Sequence, residues 1–216
     1  MDTPQQLSLA LSQAQEPTLD NFVIGENAEA IASVAAFCRG EGPQFLYLWG
    51  AAGCGCSHLM RAIAPQQKKR IPLFDETALL YVVDDAQALL GFEQEALFNL
   101  MNEVRAHPGY RIAVAGHAPI SKLPLREDIK SRLSWGLVFE LHYLGAESAL
   151  QEFVRQASER GIELDEGVRH WVAVHCPRDI GHLRQLLDEV DAYAMEKKRR
   201  VTLPLLVQWA SARENV

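Results

Sequence analysis

Two hydrophobic periods divide the chain. Short apolar runs alternate with helix-like stretches as far as Tyr143, and beyond it only the helical period continues. Phe45-Leu-Tyr-Leu-Trp49 is apolar at every position between Pro43 and Gly50, as in a strand covered on both faces. Leu79-Leu-Tyr-Val-Val83, Arg111-Ile-Ala-Val-Ala115 and Leu137-Val-Phe-Glu-Leu141 also read as strands. Ile71-Pro-Leu-Phe74 is a weaker one, because Pro72 has no N–H to donate to a central ladder. Leu97, Leu100, Met101 and Val104 fall at i, i+3, i+4 and i+7 of a helix. Asn27 is expected to cap an earlier helix that turns Ile31, Val34, Ala35 and Cys38 inward and stops at Gly40.

Strands alternating with helices predict an α/β fold, with a mainly parallel sheet and helices on both faces. Four helices are expected after Tyr143. Leu150, Phe153, Val154 and Ala157 mark the first, which Gly161 ends. Asp165 caps a second running to His175 before Pro177, and Asp179 caps a third carrying Leu183, Leu186, Leu187 and Val190. The last begins at Thr202 with Pro204 in its first turn, where a missing N–H costs little. The organisation expected is a base over residues 21–143 and a small all-α unit over residues 144–216. Residues 1–20 contain four Gln and no Lys or Arg, and predict a flexible tail.

Composition narrows the function classes. Of 216 residues 48% are apolar, enough for a sizeable core and too many for a disordered chain. The net charge of −7, from 21 basic and 28 acidic residues, excludes a protein that coats nucleic acid through charge alone. The uncharged stretch 45–60 carries three Gly and falls short of the roughly 20 apolar residues a membrane helix needs. The start Met1-Asp2 lacks the basic region of a secretory signal, and the four Cys have no disulfide-framework spacing. A cytoplasmic location without membrane contact is expected.

Chemistry concentrates between the first strand and the helix after it. Gly50, Ala51, Ala52, Gly53, Cys54, Gly55, Cys56 and Ser57 form G-x-x-x-x-G-x-[ST], the phosphate-loop pattern in its strand–loop–helix setting. Glycines let the backbone wrap an anion, and the loop amides and helix N-terminus supply donors with a partial positive charge. Ser57 would place a hydroxyl on a phosphate-bound Mg²⁺. Asp84, closing a hydrophobic strand, would be the second metal-side group, and Asp85 stands where a water-orienting acid belongs. The plainer reading is a glycine-rich turn closing a strand–helix unit. Cys56 occupies the place of the lysine that meets the β- and γ-phosphates, and a thiol supplies no cation. A diphosphate could still sit in the amide cradle; the alternative is a pocket that no longer takes nucleotide. Cys54, Cys56 and His58 lack the wider four-ligand spacing of a zinc site, and Cys38 and Cys176 read as core residues.

Thr18-Leu-Asp-Asn-Phe-Val-Ile-Gly25, the run Phe45 to Gly50, the loop ending Gly55-Cys-Ser-His-Leu59 and Val82-Val-Asp-Asp-Ala-Gln87 occur in an order similar to the AAA+ module of the replication initiator DnaA. Residues 125–140, centred on Asp128-Ile-Lys-Ser-Arg-Leu-Ser-Trp-Gly136, resemble that family's box VII. A base and lid with a short Gln-rich head and no C-terminal DNA-binding domain resemble the Hda family of DnaA-regulating proteins, over essentially the whole chain.

The resemblance implies a P-loop AAA+ base, a helical lid and a negative regulator of replication initiation that promotes hydrolysis of DnaA-bound ATP. It implies that Gln6, Leu7, Ser8, Leu9 and Leu11 bind the β-subunit sliding clamp. In an extended peptide the three leucines point one way, as an apolar groove requires. Arg132 matches the box VII arginine finger, a group worth about 10³–10⁵ in rate when it meets a partner's γ-phosphate. Its plainer reading is an ion pair with Asp128 or Glu127. Val23, Ile24, His58 and Arg184 join the loop as nucleotide-binding residues, with ADP, and Mg²⁺ alongside it, as the implied cofactor.

Gly116 stands where the family keeps a polar sensor residue and Gly181 where it keeps a sensor arginine; Arg184 lies one turn further on. The segment 64–78 is shorter than the family's helix-plus-strand, so a strand is expected to be reduced or missing. DnaA and the clamp are the implied partners, self-association through the Arg132 face is a further one, and DNA contact is at most indirect. The rival functions are an initiator-like scaffold without catalysis and a stand-alone ATPase, against which Cys56 argues. The basic runs 68–70 and 197–200 read as helix-end cations. His107, His117, His142, His170 and His182 suggest no role.

Overall fold

A computed structural model describes residues 16–176 and 179–214. The first part runs α1 (Ala28–Cys38), β1 (Phe45–Trp49), α2 (Cys56–Ile63), β2 (Leu80–Val83), α3 (Gly91–Ala106), β3 (Arg111–Gly116), α4 (Glu127–Leu133) and β4 (Leu137–Glu140). All strand pairs are parallel, in the order β2-β3-β1-β4. The sheet is a middle layer. Phe45, Tyr47, Ile112 and Val114 pack with α3 and α4 on one face, while Leu46, Leu48, Ala113 and Ala115 pack with α1 and α2 on the other. Double coverage is why β1 and β3 need apolar residues at nearly every position.

After β1 the chain crosses to one side of the sheet, and after β3 it crosses to the other. The crevice between their carboxyl ends is where an open α/β sheet of this kind accepts a ligand.

Residues 71–74 add no strand, and β2 is a sheet edge. Gln67 covers it instead. Its amide nitrogen donates to the Val82 carbonyl at 2.6 Å, and its amide oxygen accepts from the Val82 N–H at 2.9 Å. A side-chain amide carries the same donor–acceptor pair as a peptide, so one glutamine fills the ladder position a neighbouring strand would occupy. Gln67→Leu is expected to cost about 1–3 kcal/mol by stranding both groups, read as a lower midpoint in chemical denaturation.

Asn27 precedes α1 but makes no side-chain cap. Its amide pairs in the same two-point way with His142, donating to its carbonyl (2.9 Å) and accepting from its N–H (2.8 Å). That long-range pairing uses up the groups a cap would need. The buried face of α1 is Ala30, Ile31, Val34 and Phe37, leaving Ala35 and Cys38 half-buried.

Beyond Tyr143 the chain forms α5 (Ala146–Glu159), α6 (Glu166–His175), α7 (Ile180–Lys197) and α8 (Leu203–Glu214) around a separate core that includes Phe153, Val172, Leu183, Leu187 and Leu205. The expected caps form: Asp165 accepts from Val168 N at 2.7 Å and Asp179 from Gly181 N at 2.9 Å. Lys197 lies in the last turn of α7, whereas residues 68–70 lie in the loop after α2, where Arg70 pairs with Glu93 at 3.3 Å and Asp85 at 3.7 Å. Among the described residues no helix is long and apolar enough to cross a membrane.

Candidate nucleotide-binding site

The loop after β1 reverses through Gly53 (φ +91°) and Gly55 (φ +105°), backbone conformations that only glycine adopts cheaply. Gly55 sits at the N-cap of α2, and the first helical bond there is Leu59 N–H to the Gly55 carbonyl at 3.1 Å. The amides of residues 55–58 therefore open the helix without intrahelical acceptors; that of Cys56 turns toward the Cys54 sulfur, and the helix N-terminus as a whole suits an anion.

They face a cavity of about 280 Å³ between sheet and helical part. Loop residues 51–58 form one wall; Phe22, Val23, Leu144 and Ile180 give it an apolar side, and Arg184 gives it a cation. Amide donors, a helix N-terminus and an apolar slot fit a nucleoside diphosphate. Arg184 reaches in from α7, one turn beyond Gly181.

Of the residues expected here, Val23, Ala51, Ala52, Gly53, Cys54, Gly55, Cys56, Ser57, His58 and Arg184 line the cavity. Ile24, Gly50, Asp84 and Asp85 do not. Ile24 is 46% exposed on the outer surface. Gly50 underlies the loop, its N–H donating to the Gly116 carbonyl at 3.3 Å, and a side chain there would strike the Leu141 carbonyl. Asp84 accepts from the Asp85 N–H at 2.9 Å, behind Cys56. Asp85 is tied to the Gln87 amide and to Arg70, which takes it away from a water-orienting position. Ser57 is thus the expected metal-side group that stands in the wall, and no cluster of three metal-ligating side chains occurs among the described residues. The head residues Gln6, Leu7, Ser8, Leu9 and Leu11 lie outside the described residues.

The wall also uses side chains the sequence did not point to. His117 and His142 follow β3 and β4, and Tyr143 donates from its hydroxyl to the Ala52 carbonyl. From α7, Asp179 closes on the loop so tightly that a Cβ on Gly53 would meet its carboxylate carbon at 2.8 Å. Asp179 is already engaged, by Gly181 N–H and by His182 Nδ1 at 2.6 Å.

Charge in the pocket is sparse for physical reasons. Cys54 and Cys56 hold their sulfurs 3.6 Å apart, each only 7% exposed. The hydrogen bond from Cys56 lowers the Cys54 thiol to about 7 against the cost of burial. The same bond, and burial, push the Cys56 thiol up, so the position a lysine would fill stays neutral. Burial first, with Arg184 and Arg61 adding, holds His58 below the usual imidazole range although its ring contacts the Thr18 carbonyl at 2.9 Å. Gly116 cannot carry a sensor side chain here, because its Cβ would meet the Tyr47 hydroxyl at 2.5 Å. That hydroxyl donates to the Ala118 carbonyl at 2.6 Å. Gly181 differs: a Cβ there would meet only Asp179, at an ordinary 3.4 Å.

Arg132 lies outside this cavity, on α4. Its Nε and Nη2 donate to the Asn102 side-chain oxygen at 3.1 and 2.9 Å, and its Nη1 to the Asp128 carbonyl at 3.0 Å. The guanidinium lies 3.9 Å over the Phe98 ring. The ion pair of the plainer reading does not form among the described residues, since Asp128 pairs with Arg126 at 2.6 Å and Glu127 with Lys130 at 2.9 Å. Among the described residues, Arg132 is therefore a half-buried cation whose hydrogen bonds go to neutral acceptors.

The model of a family described as the Hda lid domain matches residues 146–209. Among solved structures, domain III of the Thermotoga maritima replication initiation protein DnaA superposes with a TM-score of 0.74 at 20% identity, covering 91% of this chain and 96% of that one. AMPPCP-bound DnaA from Aquifex aeolicus gives 0.67 at 19% identity, over 84% of this chain and 67% of that one. The Thermotoga maritima RuvB Holliday junction branch migration motor gives 0.66 at 19%, over 91% and 72%. The parallel sheet flanked by helices and the matched lid agree with one another: the fold is that of DnaA domain III, an α/β base followed by a small all-α unit whose residues 146–209 match the Hda lid domain.

Proposed function

We propose that this DnaA-related replication regulator acts negatively on initiation, by promoting hydrolysis of DnaA-bound ATP with Arg132 supplied across a subunit boundary. Its head, through Gln6, Leu7, Ser8, Leu9 and Leu11, tethers it to the sliding clamp, where active DnaA is met. Its own pocket holds ADP and serves as a joint between base and lid. Bound Mg²⁺ would offset the diphosphate charge there, with Ser57 to hold it.

One observation carries the reading. The groups that would act on a γ-phosphate in the home pocket are absent at Cys56, Gly116 and Gly181, while Arg132 stands outside that pocket with no anionic partner among the described residues. A guanidinium bound to an amide oxygen and a carbonyl gains by exchanging them for phosphate oxygens, because hydrogen bonds between charged partners are roughly twice as strong. The test is ATP hydrolysis by DnaA in the presence of clamp loaded on DNA. The chain is expected to accelerate it, and unchanged hydrolysis despite intact binding favours the scaffold alternative.

The pocket makes a separate prediction. Because Gly181 has room for a side chain at the mouth of the cavity, Gly181→Arg should fold normally and bind ADP about tenfold more tightly by calorimetry, from one added charge-assisted contact.

A further inference from the structure

Among the described residues a single pair of sulfurs is in contact, and it lies in the phosphate loop. Cys54 and Cys56 face each other at 3.6 Å, both line the cavity, and all four cysteines are free thiols. Cys38 sits in α1 and Cys176 at the end of α6, half-buried and away from this pair. Phosphate binding does not account for two thiols here, since neither brings a positive charge to the loop. The residues around them do suit another chemistry. Gly55 lies between the two cysteines and Gly53 just before them, both with left-handed φ, so the backbone can change shape where a bridge between residues two apart would demand it.

We propose that Cys54 and Cys56 form an oxidation site at which hydrogen peroxide converts the thiol pair into a disulfide that closes the phosphate cradle. The effect on nucleotide rests on the reading of this loop as an ADP seat; the bridge itself does not. The Cys54 thiolate attacks one peroxide oxygen, the O–O bond breaks, and the departing hydroxide takes up a proton to leave as water. Cys54 is then a sulfenic acid. The Cys56 sulfur attacks it, an S–S bond forms, and the Cys56 proton leaves with the displaced hydroxyl as a second water. The two sulfurs are oxidised by two electrons in all and the peroxide is reduced to two waters. Thiol exchange with a low-molecular-weight thiol reverses the change. Bringing the sulfurs from 3.6 Å to the roughly 2 Å of a disulfide turns the intervening Gly55 peptide, and with it the amides that receive phosphate. Bound ADP covers the same wall and should slow the reaction.

The experiment treats the full reduced chain with about one equivalent of hydrogen peroxide and follows intact mass, mapped peptides and ADP affinity. A loss of about 2 Da is expected, located in the peptide containing Cys54 and Cys56, and persisting in a C38S/C176S variant. The bridged chain should bind ADP at least about tenfold more weakly, and dithiothreitol should restore it. Oxygen addition without that mass loss, earlier reaction at Cys38 or Cys176, or equal ADP affinity in bridged and reduced chains would overturn the proposal. A reduced chain that takes no ADP while still forming the bridge upholds the oxidation site and sinks the ADP-seat reading instead.

Discussion

Arg132→Ala is expected to remove the acceleration of DnaA's ATP hydrolysis, a loss of about 10³-fold or more if the finger contributes as such groups usually do. The side chain reaches from α4, hydrogen-bonds Asn102 and the Asp128 carbonyl, and lies over Phe98 and, more distantly, Trp135 at 5.2 Å. None of these lines the cavity, so ADP binding should be unchanged in the variant. Arg132→Lys separates charge from shape. It keeps a cation but loses the planar fork that meets two phosphate oxygens at once, and should recover only a small part of the rate. Single-turnover hydrolysis of ATP on DnaA checks both variants. Stimulation by Arg132→Ala equal to that of the parent chain would dispose of catalysis in trans.

The second large effect is structural. A Cβ on Gly136 would overlap the Phe45 carbonyl oxygen outright and stand 2.7 Å from the Phe45 Cβ, at the start of the buried central strand β1. Neither side can yield. The obstacle is backbone, and β1 is paired with β3 and β4 on its two edges. Gly136→Ala should therefore cost about 3–5 kcal/mol, the upper end for overpacking, and lower the melting temperature by roughly 10 °C for a chain of this size. Gly145→Ala is the control: nothing lies within 4 Å of its Cβ, and a change within about 0.5 kcal/mol is expected. The same close approach sets Trp135 edge-on to Phe45 at 5.6 Å and so fixes the end of α4, the helix that carries Arg132.

What the sequence made legible follows from how each part is stabilised. Strands buried on both faces, as β1 and β3 are, leave continuous apolar runs, and all four strands lie within one residue of the runs expected for them. Asp165 and Asp179 cap as expected because a cap is a local interaction. Asn27 and Gln67 were not legible, since each side-chain amide pairs with backbone far away or on a neighbouring segment and leaves no periodic trace. The phosphate loop shows itself through glycine spacing. The opposite wall does not, because His117, His142 and Tyr143 follow different strands and Asp179 and Ile180 come from the lid. Strand ends were the available signal: in a parallel sheet the residues just past each carboxyl end converge on one rim. Asn102, the holder of Arg132, stands thirty positions away from it, and no motif joins the two.

Two residues in the connection from β4 to α5 are fastened to the base. His142 is clasped by Asn27 through its peptide group, and Tyr143 hangs from the Ala52 carbonyl by its phenol. Bending at that joint is therefore geared to the seat itself: a lid that swings outward must either drag Ala52 along or let go of it.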